Sequence, residues 1–204
     1  MLKIDLLRHG ETRLSHTLRG STDDELTELG WAQMQQAIER CLDLNSSALK
    51  WQVIFSSPLQ RCHLFAAHLA QSLSLELIVD VNLQEMHFGD WEGLSTQSIY
   101  EHEPELLANF WQRPTVFHPP NAEKLQDFHE RIGSSMVHIQ QKMQKNNWQH
   151  ALVITHGGVI KLLKCLALQQ PLDDILKMKV ELATLNRFGL QKNASVHLFQ
   201  DEIA

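Results

Sequence analysis

Three times along the chain a short apolar run stops at a polar turn, and an amphipathic stretch at helical spacing follows. Residues 3–7 predict a buried strand that stops at Arg8-His9-Gly10. Trp31, Met34, Ala37, Ile38 and Cys41 then recur three or four apart, predicting a helix that opens near Leu26–Gly30 with Thr27 as its N-cap. Residues 51–55 predict a second strand ending in Ser56-Ser57-Pro58, where Ser57 can cap and Pro58 fits the first position of a helix running to about residue 73. A β-rich run at 75–79 precedes a loop-rich region and helices over about 103–112 and 127–145. The third unit is the strand 151–155, the turn His156-Gly157-Gly158 and a helical run at 159–168. Two further β-type stretches, 183–188 and 195–199, read as strands added to the sheet at an antiparallel edge.

This alternation predicts an α/β fold: a three-layer αβα sandwich on a largely parallel central sheet with an antiparallel edge strand. A chain of 204 residues is most economically one domain, 1–204, with a helical and loop insertion at about 85–145 covering whatever site the sheet carries. If the three clear strands are parallel neighbours, their junctions open along one carboxyl edge. Arg8-His9-Gly10, Ser57-Pro58 with Arg61, and His156-Gly157-Gly158 then converge.

Bulk properties narrow the chemistry. Lys plus Arg number 18 against 24 Asp plus Glu, a net charge of −6, which argues against a nucleic-acid surface working by phosphate neutralisation. Any anion site must therefore be local. Cys41, Cys62 and Cys165 are odd in number and lack a Cys-x-x-Cys pattern, so neither a disulfide framework nor a thiolate zinc site is expected. The amino terminus lacks a signal-like apolar segment, and the most apolar long stretch, 151–168, is interrupted by His156, Lys161 and Lys164. A cytoplasmic protein without membrane contact is expected, as monomer or homodimer.

Two arginines and two histidines meeting at one sheet edge suit phosphoryl transfer, which needs fixed cations around the equatorial oxygens and an in-line nucleophile. Arg8 and Arg61 can grip phosphate through planar forks. The glycines after His9 and His156 permit close backbone approach, and a helix starting near Gly157 adds free N–H groups and positive dipole. No metal and no cofactor are expected, since the sequence has no His-x-x-x-His zinc helix and no Asp-x-Asp magnesium pattern. Cys62 beside His63 forms no thiol dyad, because adjacent helical positions face apart.

Arg8-His9-Gly10-Glu11-Thr12 resembles the signature of the histidine phosphatase superfamily, whose fold is that of the phosphoglycerate mutases. The stretch Arg19 to Gly30 is similar to the family's G-x-x-D-x-x-L-T-x-x-G segment, and Ser56-Ser57-Pro58-Leu59-Gln60-Arg61 to its second-arginine motif. Leu83 to Gly93 resembles its acid motif and Val153 to Gly158 its second-histidine motif, in the same order along nearly the whole chain. The resemblance implies that His9 is the nucleophile that becomes phosphorylated. It implies equally that Arg8, Arg61 and His156 form the phosphate pocket and that Glu85 is the proton donor. His9 must then present a neutral nitrogen, its other one held by a backbone carbonyl. The other ten histidines read as surface or packing residues, with His87, two places after Glu85, left open.

Ser15, Thr22 and Gly157 complete the expected substrate contacts. Ser15 stands where many family members place an asparagine, and Asn121-Ala122-Glu123-Lys124 stands where relatives often read Gly-Gly-Glu-Ser. The absence of surplus loop between Glu85 and His156 favours hydrolysis of a small phosphate monoester over mutase transfer. Within the family, the segments around Gly20–Asp23 and Phe88–Gly93 look most like the alpha-ribazole phosphatases, which implies a cobalamin lower-ligand nucleotide as substrate. Trp91, Phe110, Trp111 and Phe117 are candidates to stack on its flat base. The alternatives are a broad-specificity phosphatase, a phosphoglycerate-mutase-like enzyme and, outside enzymes, a phosphate-binding adaptor. A nucleotide-binding module using Gly157-Gly158 is disfavoured, since no G-x-G-x-x-G or P-loop spacing occurs.

Overall fold

Strand β1 (Leu2–Arg8) buries its four central residues and strand β4 (His150–Thr155) all six, as continuous apolar runs do when helices cover both faces of a parallel sheet. The computed structural model describes residues 1–44, 51–191 and 193–198. The remaining strands are β2 (Val53–Ser56), β3 (Glu76–Val79), β5 (Leu185–Leu190) and β6 (Val196–Leu198), and the spatial order is β3-β2-β4-β1-β5-β6. β3, β2, β4 and β1 are mutually parallel. β5 runs against β1, and β6 against β5, so the antiparallel pairing lies at the expected side of the sheet with the reversed strand one place in from the edge. Of the predicted last strand, Phe199 lies outside the described residues.

Side chains alternate across the sheet and build two cores. Ile4, Leu6, Val53, Phe55, Ala151 and Val153 pack on one face with helices α5 (Leu125–Lys145) and α6 (Gly157–Ala167). Leu7, Ile54, Leu152 and Ile154 pack on the other with α1 (Glu28–Leu44) and α2 (Gln60–Leu73). The result is the αβα sandwich. Asp5, the one acid in β1, is buried but satisfied: Arg187 Nε and Nη2 reach it at 2.7 and 3.1 Å, Trp51 Nε1 and His150 Nε2 each at 2.9 Å.

Thr27 caps α1 as predicted, its Oγ1 accepting from Gly30 N at 3.0 Å. The start of α2 needs correction: Leu59 occupies the cap position without a side-chain bond, so Pro58 precedes the helix and Ser57 is not its cap. Ser57 is instead turned inward, toward the second histidine. The region between β3 and β4 is more helical than its sequence suggested. Beside the expected helix α4 (Pro104–Gln112) it carries α3 (Thr96–His102), capped by Ser95 Oγ accepting from Ser98 N at 3.1 Å, and short 3₁₀ turns at Val81–Leu83 and Gly89–Trp91. Another 3₁₀ turn, Leu172–Lys177, follows α6. No helix among the described residues is long and apolar enough to cross a membrane.

Candidate active site

The register of the sheet brings three distant chain segments to one level. Arg8 lies beside Thr155 and Ser56 beside Ile154, so His9, Ser57 and His156 leave the sheet together at its carboxyl edge. His9 N–H donates to Thr155 O at 3.0 Å and Ser57 N–H to Ile154 O at 3.0 Å, which extends the ladder one residue past the strands. Gly10 is required there, since a Cβ would lie 2.1 Å from Gly30 O.

His9 is 3% exposed, and its Nδ1 donates to Gly10 O at 2.8 Å, which places the lone pair on Nε2. Burial, then the positive charges of Arg61, Arg8 and Arg19, hold its pKa well below the ordinary value, although the bond to Gly10 opposes them. His156 is fully buried with its ring at 61° to that of His9, centroids 5.4 Å apart. Its Nδ1 accepts from Arg61 Nε at 3.2 Å and its Nε2 donates to Ser57 Oγ at 2.8 Å, so it is a neutral ring fixed in one tautomer. Burial and the charge of Arg61 push its pKa far down as well. Ser57 is thus a site residue that sequence reasoning had assigned to helix capping. Cys62 Sγ lies 3.7–3.8 Å from both ring nitrogens of His156, but burial pushes the thiol pKa far up and keeps it protonated.

Arg61 has no exposed surface. Besides His156 it donates to Thr22 O at 2.7 Å, Gly20 O at 2.8 Å and Asp24 Oδ1 at 3.3 Å, which leaves one Nη2 hydrogen without a partner among the described residues. The loop it grips is fixed by Glu92. That carboxylate accepts from the backbone N–H groups of Gly20, Ser21, Thr22 and Phe88 at 2.9–3.1 Å and from Thr22 Oγ1 at 2.5 Å. Burial raises its pKa, but the hydrogen bonds from Thr22, Phe88 and Gly20 outweigh burial and hold it below the usual carboxylate range.

A cavity of about 270 Å³ opens in front of His9, lined by Arg8, Arg19, Glu85, Gly157, Gly158 and Lys161, with Phe88, Leu107, Phe110, Trp111 and Leu176 as its apolar wall. Arg8 is steered by Nη1 donating to Val180 O at 2.6 Å, and its buried Nε makes no hydrogen bond to a described residue. Glu85 is fixed by two backbone donors, Gly158 N–H to Oε2 at 2.9 Å and Met86 N–H to Oε1 at 3.0 Å. A Cβ on Gly158 would meet Glu85 Oε1 at 2.2 Å, so the glycine is what lets the acid approach the helix start. Behind Glu85, Arg131 binds the carbonyls of Asn82, Gln84 and Glu85 at 2.8–2.9 Å and pairs with Glu123 at 2.6 and 2.9 Å. The changed loop therefore braces the acid, and Asn121, at φ 58°, takes the left-handed backbone that a glycine would supply.

Of the predicted residues, Arg8, His9, Glu85 and Gly157 line the cavity, and Arg61 and His156 stand directly behind His9. Ser15 and Thr22 do not line it. Ser15 Oγ accepts from Thr12 N at 2.9 Å and closes a local turn, and the Thr22 hydroxyl is spent on Glu92. Arg19 and Lys161 line the cavity although sequence reasoning gave them no role. Of the candidate stacking aromatics, Phe110 and Trp111 are in the wall, Phe117 is not, and Trp91 is buried in the core with its Nε1 donating to Glu103 Oε1 at 3.2 Å. No group of three or more His, Cys, Asp or Glu side chains gathers as a metal would require among the described residues.

The sequence profile of the histidine phosphatase superfamily, branch 1, matches residues 4–201. The chain belongs to that superfamily. It is accordingly an enzyme of the class of phosphatases and phosphate mutases. The protein called bifunctional protein Rv2228c from Mycobacterium tuberculosis is 33% identical over 183 residues, 89% of this chain, and this chain spans about half of that longer protein (48%). A 2,3-bisphosphoglycerate-dependent phosphoglycerate mutase of Bartonella tribocorum is 30% identical over 164 residues, covering 78% of this chain and 77% of that one. Among solved structures, the mycobacterial glucosyl-3-phosphoglycerate phosphatase superposes with a TM-score of 0.81 at 25% identity, over 99% of this chain and 98% of that one. The alpha-ribazole phosphatase of Shigella flexneri shares the fold with a TM-score of 0.79 at 22% identity, over 97% and 95%.

Proposed function

We propose that this protein hydrolyses a small phosphate monoester through a phosphohistidine on His9. The bond from His9 Nδ1 to Gly10 O carries the reading, because it leaves the Nε2 lone pair of a neutral, cavity-lining imidazole available to phosphorus. In the first step Nε2 forms the N–P bond as the ester P–O bond breaks, and protonated Glu85 gives its proton to the departing oxygen. In the second, Glu85 as carboxylate takes a proton from water, whose oxygen bonds phosphorus while the N–P bond breaks. Arg8, Arg19 and the Gly157 N–H at the start of α6 are placed to meet the phosphoryl oxygens, the Gly158 N–H being held by Glu85, and Arg61 with His156 holds the floor beneath His9.

Turnover of 4-nitrophenyl phosphate with excess chelator tests this. Hydrolysis should persist under chelation, disappear in His9→Ala, and leave an acid-labile, base-stable phosphoryl adduct on His9 after quenching; chelator-sensitive turnover or an adduct elsewhere refutes it. Assayed with 3-phosphoglycerate and its bisphosphate, the same protein should show hydrolysis without mutase exchange.

Alpha-ribazole 5′-phosphate is the second, finer reading, supported by the sequence resemblance and by Phe110 and Trp111 in the wall. The Lys161 ammonium in the same wall is a feature that a neutral base does not call for.

A further inference from the structure

Helix α6 turns one face to the cavity. Gly157 and Gly158 begin it, and Lys161 lies four and three residues further on, hence on the same face one turn along the helix. Gly158 N–H holds Glu85, and Lys161 lines the same cavity, near enough to Glu85 and Arg8 for their charges to act on it. From there the cavity runs past Thr96, Leu107 and Trp111 into a wider groove between α3 and α4.

Lys161 makes no hydrogen bond or ion pair within 4 Å to a described residue, and the charges of Glu85, Arg8 and the exposed Glu181 act on it from a distance. Burial and the charge of Arg8 lower its ammonium pKa, while those two carboxylates oppose the shift. The charges lining the cavity are Arg8, Arg19 and Lys161 against Glu85. Asp24 pairs with both Arg19 and Arg61 and offsets one of the three arginine charges, a phosphate dianion balances the other two, and Glu85 is neutral when it serves as acid. One positive charge, that of Lys161, is then left in the cavity for the rest of the substrate, in a half-buried setting where it acts more strongly than in water.

Resting on the phosphatase reading above, we propose that Lys161 determines specificity by pairing with a second anionic group, a carboxylate or phosphate, on the leaving portion of the substrate. The substrate class is a phosphate monoester of a small organic acid or of a second phosphate ester, its remaining apolar part lying against Phe110, Trp111 and Leu176.

The test uses matched esters that differ in charge alone: 3- and 4-carboxyphenyl phosphate against their carbamoyl isosteres. The native enzyme should prefer at least one acid over its amide by about ten-fold or more in kcat/KM, mainly through KM. Lys161→Met should abolish that ratio, Lys161→Arg should keep most of it, and Lys161→Glu should invert it toward 4-(aminomethyl)phenyl phosphate. Equal turnover of acid and amide by the native enzyme overturns the proposal, as does a ratio that survives Lys161→Met or a loss in Lys161→Met that is the same for acid and amide. Preference for alpha-ribazole 5′-phosphate over every acidic ester overturns it too. Absence of turnover of all these esters by the native enzyme would instead count against the phosphatase reading itself.

Discussion

Replacing Glu92 by Gln changes one atom and removes the charge at the place where the Gly20–Thr22 loop is tied to the Phe88 turn. If Oε1 becomes the amide nitrogen, it faces the N–H groups of Gly20, Ser21 and Phe88; if Oε2 does, it faces Gly20 N–H, Thr22 N–H and the Thr22 hydroxyl. Either way two or three donors lose their acceptor, and the acceptor that stays is neutral. At 1–3 kcal/mol for each partly buried group left unpaired, the cost is about 4 kcal/mol, a large share of a typical domain stability of about 5–15 kcal/mol. Urea unfolding followed by tryptophan fluorescence should show an unchanged slope and, for a slope of about 2.5 kcal/mol/M, a midpoint lower by about 1.5 M. Because the Gly20 and Thr22 carbonyls hold Arg61, kcat/KM should fall more than ten-fold under conditions where the variant is folded. The Glu92 carboxyl titrates below its ordinary value in the folded protein, so its contribution is complete above about pH 4.5 and fades as the pH falls below that. The gap between native and variant should narrow accordingly. A destabilisation under 1 kcal/mol at pH 7, or a gap that widens with acid, would refute this account of the loop.

Three other outcomes follow from the same geometry. His9 and His156 are held neutral by burial and by Arg61, so their ring carbons should show no protonation shift by NMR between pH 8 and 5.5, and a midpoint near 6.5 would contradict the site. The same depressed values mean that the unfolded chain binds protons first, so stability should be full above about pH 6.5 and decline steadily below it in pH-dependent urea titrations. Gly158→Ala pushes Glu85 off the helix start and should lower kcat by about ten-fold or more with KM little changed, whereas intact kcat would show that the acid needs no such approach. Arg131→Met cuts three carbonyl contacts and the Glu123 pair; a loss of about 3–5 kcal/mol with a drop in kcat is expected, and calorimetry with steady-state kinetics would reveal a silent change.

The sheet and its three junctions were legible because β1, β2 and β4 are apolar runs that end in abrupt polar turns, and parallel pairing of such runs leaves few arrangements. Helix α3 was not, since Thr96–His102 is two turns long with Ile99 as its one buried residue, too little for a periodic signal. Ser57-Pro58 has the composition of a helix start, but a tertiary partner, His156, claimed the serine. Arg19 and Glu92 stand inside motifs that were read, yet nothing local says that one lines the cavity and the other ties two loops together. Lys161 looked like a charge interrupting an apolar helix; only the placement of Gly157 and Gly158 shows which way that face turns.

The order β2-β4-β1 has a consequence for how the chain comes off the ribosome. The strand that fills the gap between the two early ones is made only after residue 150, so both have an open backbone edge on that side while most of the chain is being synthesised. The nucleophile and its neighbours therefore come together late and all at once, and nascent chains stalled before β4 should be sticky, chaperone-dependent and inert.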